Sequence, residues 1–319
     1  MFHMIIKTSD IKTIKSLAKG FFIPRPNSHK GQNGKILIIG GSSLFHAASI
    51  WSAEITSHFA DIVHYTSTKE NKQVFLSLKK KFINGIIIPQ KELIHYIKED
   101  DAILAGPGML RKNPKLKAQM SNQVQNPKIK FRNIIEMKDE GEYTYRLTKY
   151  LIENFPEKKF VFDAGSLQMM ESDWLKKLKT PAIITPHQIE FENLFSTSIR
   201  EKSVEQKEKI IRATAKKYHC IVLLKAIVDI ISDGNTTYVI EGGNQGLTKG
   251  GTGDLLAGLS VSFYCKNEPL MSAVLASYLL KKSAEFLCHS FGYWYNIDNL
   301  IKTIPQVFKN LIFGEKKNL

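Results

Sequence analysis

The chain has 319 residues, 43% hydrophobic and 24% charged, which is the composition of an ordinary soluble protein able to bury a large core in one domain or two modest ones. Its three cysteines, Cys220, Cys265 and Cys288, follow no metal or redox spacing, their odd number argues against a disulfide framework, and no apolar run is long enough to span a bilayer. Lys and Arg number 45 against 30 Asp and Glu, a formal +15 that suits polyanionic ligands and is also the footprint of nucleic-acid binding. The lysines are nonetheless spread over polar faces such as LSLKKKF and WLKKLKT, so charge by itself selects no partner.

The first residues, MFHMIIKTSDIKTIKSLAKGFFIP, lack the basic start, apolar run and small-residue cleavage site of a signal peptide, and a reducing, cytoplasmic setting is expected. Residues 1–25 read as a helical lead-in. Short apolar runs follow at 35–41 (KILIIGG), 61–67 (DIVHYTS), 85–89 (GIIIP), 102–108 (AILAGPG), 160–166 (FVFDAGS), 182–187 (AIITPH) and 221–226 (IVLLKA). They are continuous and β-branched, as strands buried on both faces of a parallel sheet must be. Between them AASIWSAEITSHF, ELIHYIKE, YRLTKYLIENF and KSVEQKEKIIRATAKKYH carry helical spacing. Strand and helix alternate, which predicts an α/β fold with a doubly wound, mostly parallel sheet and helices on both faces. The polar, weakly periodic stretch 126–145 reads as an insertion. GDLLAGLSVSFYCK and EPLMSAVLASYLLKKSAEFLCHS are apolar enough to be helices packed on the sheet. With no repeat, low-complexity tract or linker, residues 26–319 read as one domain.

Six strand-end segments could share a crevice at the carboxyl edge of such a sheet: GGSSLFHAAS, GPGM, DAGSLQ, TPHQIE, KAIVD and GGTGD. Each also has a plain explanation. Gly106, Pro107 and Gly108 could be a turn, and His187 a helix-terminus hydrogen bonder. Asp163 could cap a loop, Lys225 could be a solvated strand-end lysine, and Asp254 could be a carboxylate stabilised by a helix dipole. The last segment lies in NQGLTKGGTGDLLAG, residues 244–258, whose five glycines open a helix. Backbone N–H groups can converge on an anion there because no Cβ obstructs its approach.

Taken in order, HKGQNGKILIIGGSSLFHAAS, AGPGM, FVFDAGSLQMM, IITPHQIEFENLF, IVLLKAIVDIISDG and NQGLTKGGTGDLLAG resemble the ADP/ATP-dependent NAD(P)H-hydrate dehydratases, the carbohydrate-kinase-like family also called YjeF C-terminal. The resemblance runs from about His29 to the helix at 269–288. GGTGDLLAG is specific for the wider ribokinase-like superfamily, and HKG with GKILIIGGS and TPH narrows it. The resemblance implies a ribokinase-like fold and repair of NADH or NADPH whose dihydropyridine ring has been hydrated, at the expense of ADP or ATP with Mg2+. The expected partners are therefore the hydrate and an adenine nucleotide, with no membrane or nucleic acid, in a homo-oligomer.

By the same resemblance Asp254 would touch the hydrate and act as base, with Gly251 and Gly253 beside it and the N–H groups from Gly250 to Gly253 facing the phosphoryl charge. Ala47, Ala48, Gly108 and His187 match positions that contact the hydrate. Lys225, Ala226, Ile227, Val228, Asp229 and Gly253 match those that hold the nucleotide, and Glu190 could position magnesium through water. The chain departs from the family at Gly165, Gln168, Ile189 and Ala226, and EITSHFADIVHY replaces a glycine-rich segment. Two alternatives stand beside this reading: a small-molecule kinase of the same superfamily, and a non-catalytic nucleotide- or RNA-binding module.

Overall fold

The computed structural model describes residues 2–78, 84–112 and 130–314. The apolar runs become strands of a single ten-stranded sheet. These are β1 (Phe2–Lys7), β2 (Lys35–Ile39), β3 (Ile62–Thr66), β4 (Gly85–Ile87), β5 (Ala102–Ala105), β6 (Lys159–Phe162), β7 (Ile183–Ile184), β8 (Ile221–Leu224), β9 (Asp229–Ser232) and β10 (Thr236–Glu241). Their spatial order is β1-β10-β9-β8-β7-β6-β5-β2-β3-β4, and β9 alone runs antiparallel to its neighbours.

Alternation along each strand divides the core in two. Ile36 and Ile38 of β2, Leu104 of β5, Val161 of β6 and Leu223 of β8 point to one face. That face is covered by helices Ala47–Thr56, Thr252–Tyr264, Pro269–Phe291 and Ile297–Phe313. Leu37, Ile103, Phe160, Phe162 and Leu224 point to the other, under helices Leu93–Glu99, Glu140–Asn154, Ala164–Met169, Gln188–Phe195 and Val204–Tyr218. The doubly wound sheet with helices on both faces is thus as expected. No helix among the described residues is long and apolar enough to cross a membrane.

Three elements differ from expectation. The lead-in begins as a strand: Phe2–Lys7 pairs with β10 along its whole length, and only Ile11–Leu17 is helical. β9 and β10 form a hairpin turned by Asp233, whose Oδ1 accepts the Asn235 and Thr236 N–H groups at 2.8 and 2.7 Å, with Gly234 at φ +94°. Of the stretch read as an insertion, residues 126–129 lie outside the described residues. The remainder enters helices Phe131–Ile135 and Glu140–Asn154, the latter capped by the Asp139 carboxylate accepting the Glu142 N–H at 2.7 Å. Tyr143, Leu147 and Leu151 recur at helical spacing on its buried face, so the end of that stretch, from Glu140, is part of the core.

β3 and β4 extend the sheet on one side of β2, and β5 to β8 on the other. The loops after β2 and β5 therefore part at a topological switch point, where open α/β sheets bind ligands.

Candidate active site

Strand periodicity aims the central polar groups. Val161 of β6, Ile183 of β7 and Leu223 of β8 face the same core as helix Thr252–Tyr264, so the residues two further on, Asp163, Thr185 and Lys225, emerge on that side at the carboxyl edge. There the Lys225 ammonium lies 2.7 Å from Asp163 Oδ1, and the Thr185 hydroxyl donates to the same oxygen at 2.8 Å. Asp163 is 2% exposed. Burial disfavours the Lys225 ammonium, but the carboxylates of Asp163 and Glu190 outweigh it and hold its pKa above the usual lysine value.

Asp254 stands in the first turn of helix Thr252–Tyr264, facing this pair. Gly251 makes the turn into the helix at φ +104°, and a Cβ there would come within 2.7 Å of the Trp51 ring. A Cβ on Gly253 would lie 3.3 Å from Lys225 Nζ, whereas Gly250 has open space around it. The glycines thus have distinct jobs. Gly251 lets the backbone turn over an indole, Gly253 lets Lys225 pass beneath the helix start, and Gly250 is exposed at the surface. The N–H groups of this first turn are those a helix leaves unpaired. The helix is fixed by its crossing with Ala47–Thr56, where the Ser52 hydroxyl donates to the Asp254 carbonyl at 2.9 Å and a Cβ on Gly258 would meet the Ser52 carbonyl at 2.9 Å. Burial first, and the Asp163 carboxylate second, push Asp254 up to about 7, with Lys225 pulling the other way and Glu190 adding to the rise.

The crevice wall comes from the loops after β2 and β5, where Gly41 N–H donates to the Pro107 carbonyl at 2.7 Å. Gly106, at φ +126°, passes so close to Asp163 that a Cβ would lie 1.8 Å from its carbonyl oxygen. Gly108 is buried under the Phe45 carbonyl and Ala48 rather than opening into the crevice. Ala48 and Ala47 are partly exposed in the first turn of their helix. Ala47 also lines a cavity of about 440 Å³ with His46, Trp51, Glu54, Asp298 and Lys302.

His187 caps helix Gln188–Phe195: its Nδ1 accepts the Glu190 N–H at 3.2 Å, and Glu190 Oε2 accepts the His187 N–H at 3.0 Å. Gln168 donates to the other Glu190 oxygen at 2.8 Å. The His187 side chain remains about half exposed, whereas Glu190 is 5% exposed with both oxygens engaged. Both Glu190 oxygens thus accept hydrogen bonds from protein groups, and among the described residues no three His, Cys, Asp or Glu side chains cluster as metal ligands.

The segment from Lys225 to Asp229 divides its duties. The Lys225 side chain belongs to the Asp163–Asp254 centre, and Ile227 stands at the loop tip, 92% exposed. Asp229 turns inward, 5% exposed, where it accepts the Ala226 N–H at 2.9 Å and the Ser277 hydroxyl at 2.7 Å. Asp229 is thus placed to shape the loop, not to touch a ligand.

The departures from the family's usual residues are readable in this geometry. A Cβ on Gly165 would lie 2.3 Å from the Met109 carbonyl oxygen. Ala226 is not among the residues at positive φ, so its methyl imposes no backbone strain. Ile189 is half exposed in the first turn of the capped helix Gln188–Phe195.

The fold is ribokinase-like. Among solved structures, a ribokinase-like superfamily protein from Enterococcus faecalis superposes with TM-score 0.70 at 20% identity, over 97% of this chain and 96% of that one. The ADP/ATP-dependent NAD(P)H-hydrate dehydratase from Bacillus subtilis, co-crystallised with ATP and Mg2+, does so with TM-score 0.70 at 18% identity, over 94% and 97%. The chain belongs to the NAD(P)H-hydrate dehydratase family, whose model matches residues 36–306. It is 29% identical over 301 residues to the ADP-dependent (S)-NAD(P)H-hydrate dehydratase of Nitrosopumilus maritimus, covering 93% of this chain and 97% of that one. It is 30% identical over 291 residues to a bifunctional NAD(P)H-hydrate repair enzyme of Methanocaldococcus jannaschii, covering 89% of this chain, and 28% identical to that of Archaeoglobus fulgidus, covering 88%. The chain spans about half the length of these two bifunctional relatives, 50% and 52%.

Proposed function

We propose that the chain dehydrates hydrated NADH or NADPH back to the reduced coenzyme, using ADP or ATP. The observation that carries this reading is Asp254, held near neutrality in a glycine-rich helix start beside the Lys225–Asp163 pair. Hydroxide is a poor leaving group, so water cannot simply depart from the hydrate. In the proposed sequence Asp254 takes the proton of the ring hydroxyl as its oxygen attacks the terminal phosphoryl group, and the phosphoanhydride bond breaks to release a nucleotide one phosphate shorter. The ring C–O bond then breaks with phosphate leaving, and loss of a proton from the adjacent ring carbon restores the double bond. The N–H groups of the helix start and the Lys225 ammonium would stabilise the phosphoryl charge that develops in this step.

The open space at Gly250 and the 225–228 loop, whose tip Ile227 is exposed, would suit a nucleotide's phosphates and base. Magnesium would come with those phosphates and waters, since the protein's own carboxylates are otherwise engaged. A cytoplasmic setting agrees with substrates of this kind.

The test is recovery of NADH absorbance from purified hydrate, with ADP and with ATP, alongside phosphate release. Coupled appearance of both supports the proposal and ranks the nucleotides. Nucleotide turnover with a hydroxylated acceptor but no recovery of NADH would point instead to a small-molecule kinase, and inactivity with tight RNA binding would point to a binding module.

A further inference from the structure

Helix Pro269–Phe291 carries two polar residues one turn apart, Ser277 and Lys281, on a face that is otherwise core. Both are buried, Ser277 at 0% and Lys281 at 4% exposure, and both converge on Asp229. The Ser277 hydroxyl donates to Asp229 Oδ2 at 2.7 Å, while the Lys281 ammonium lies 3.6 Å from Oδ1. The same ammonium donates to the Ile227 carbonyl at 2.8 Å and the Ala226 carbonyl at 3.4 Å, and the Ala226 N–H closes the circle on Asp229 Oδ1 at 2.9 Å. Two carbonyls of the four-residue connection between β8 and β9 are thus tied directly to one helix, and one of its N–H groups to the carboxylate that the helix holds.

That helix also holds the approach to the glycine-rich turn. A Cβ on Gly243 would lie 3.3 Å from Lys281 Cγ, Gly243 N–H donates to Glu285 Oε1 at 3.1 Å, and the Asn244 amide donates to the Ala284 carbonyl at 2.8 Å. A buried lysine carboxylate pair is costly to desolvate and contributes little net stability, so its retention here calls for a role in shape.

We propose that Lys281, Asp229 and Ser277 form a clamp that sets the conformation of the 225–228 loop for nucleotide binding, and that Lys281 is a positioning residue for that site although it is too buried to touch the nucleotide. This deepens the proposed function and rests on it.

The decisive variant is the double replacement Lys281→Met with Asp229→Asn, which removes both buried charges together and retains the side-chain volumes. Binding of ADP and ATP is measured by calorimetry, steady-state constants are measured for nucleotide and hydrate, and folding is checked by thermal melting. The clamp predicts that Kd and KM for nucleotide rise about tenfold, that KM for the hydrate is unchanged, and that kcat holds within about twofold. A folded double variant with wild-type nucleotide Kd overturns the clamp while leaving the function standing. A wild-type chain that binds neither nucleotide overturns the function and the clamp together. Should the double variant not fold, Ser277→Ala serves: a two- to threefold rise in nucleotide KM at unchanged hydrate KM is expected, roughly the loss of half a hydrogen bond's net worth, and no change overturns the clamp.

Discussion

Asp254 carries opposite consequences for activity and stability. As the proposed base it works when ionised, so kcat/KM for the proposed dehydration is expected to rise with pH through a midpoint near the value of about 7 to which burial and Asp163 push it. A pH profile flat between 6 and 8 would remove Asp254 from the role. Because Lys225 pulls the same pKa down, the residual activity of Lys225→Met has its midpoint at higher pH. For stability the sign reverses. The folded state holds the Asp254 proton more tightly than the unfolded chain, so folding is penalised increasingly as pH rises from 3.8 toward 7 and constantly above it. Asp254→Asn removes that penalty. The full shift corresponds to about 4 kcal/mol, but the carboxylate is only partly covered and solvent reduces this, so a gain of about 1–2 kcal/mol at pH 8 is expected, shrinking as pH falls toward 4. The same variant loses about 10²–10⁴ in turnover. A variant that is dead and no more stable at pH 8 would contradict the account of the pKa.

At the scale of elements, the site depends on backbone approaches that admit no side chain. Gly106 ends β5 at φ +126° with the Asp163 carbonyl where its Cβ would go. Gly106→Ala therefore combines a left-handed backbone cost of about 1–3 kcal/mol with a direct clash, and it moves the carboxylate that holds Lys225. A lower melting temperature together with a fall in kcat larger than the folded fraction explains is expected. By contrast Ala226→Gly, at a position without positive φ, changes nucleotide KM little. GGTGD followed by an apolar helix was readable in the sequence as a glycine-rich helix start, because glycine clusters and helix-forming runs leave local marks. The separate tasks of Gly250, Gly251 and Gly253 were not, since they depend on Trp51 and Lys225, which other elements bring.

At the scale of the whole molecule, the sheet is closed on one side by the N-terminal strand. β1 pairs with β10 through six residues, and the Thr8 hydroxyl donates to Glu285 on the helix that holds the 225–228 loop. Removing residues 1–10 bares the β10 edge, so a lower melting temperature and concentration-dependent aggregation are expected by calorimetry and light scattering. An unchanged melt would show the strand to be dispensable.

Seven of the ten strands, the helices between them, the mostly parallel sheet and the strand-end segments were written in the sequence; β1 and the β9–β10 hairpin were not. Strands buried on both faces must be continuous apolar runs, and ligand-facing turns need glycine and small polar residues, so both leave local marks. β1 left little mark, because FHMIIK adjoins a helical stretch and its partner, β10, lies more than two-thirds of the chain away. Asp163 and Lys225 were visible only as residues with ordinary explanations. Their pairing, the inward turn of Asp229 onto Ser277 and Lys281, and the rise of Asp254 toward neutrality were decided by the tertiary structure alone. Ionisation depends on distance through space and exclusion of water, and neither is set until the sheet has brought distant strand ends under one helix.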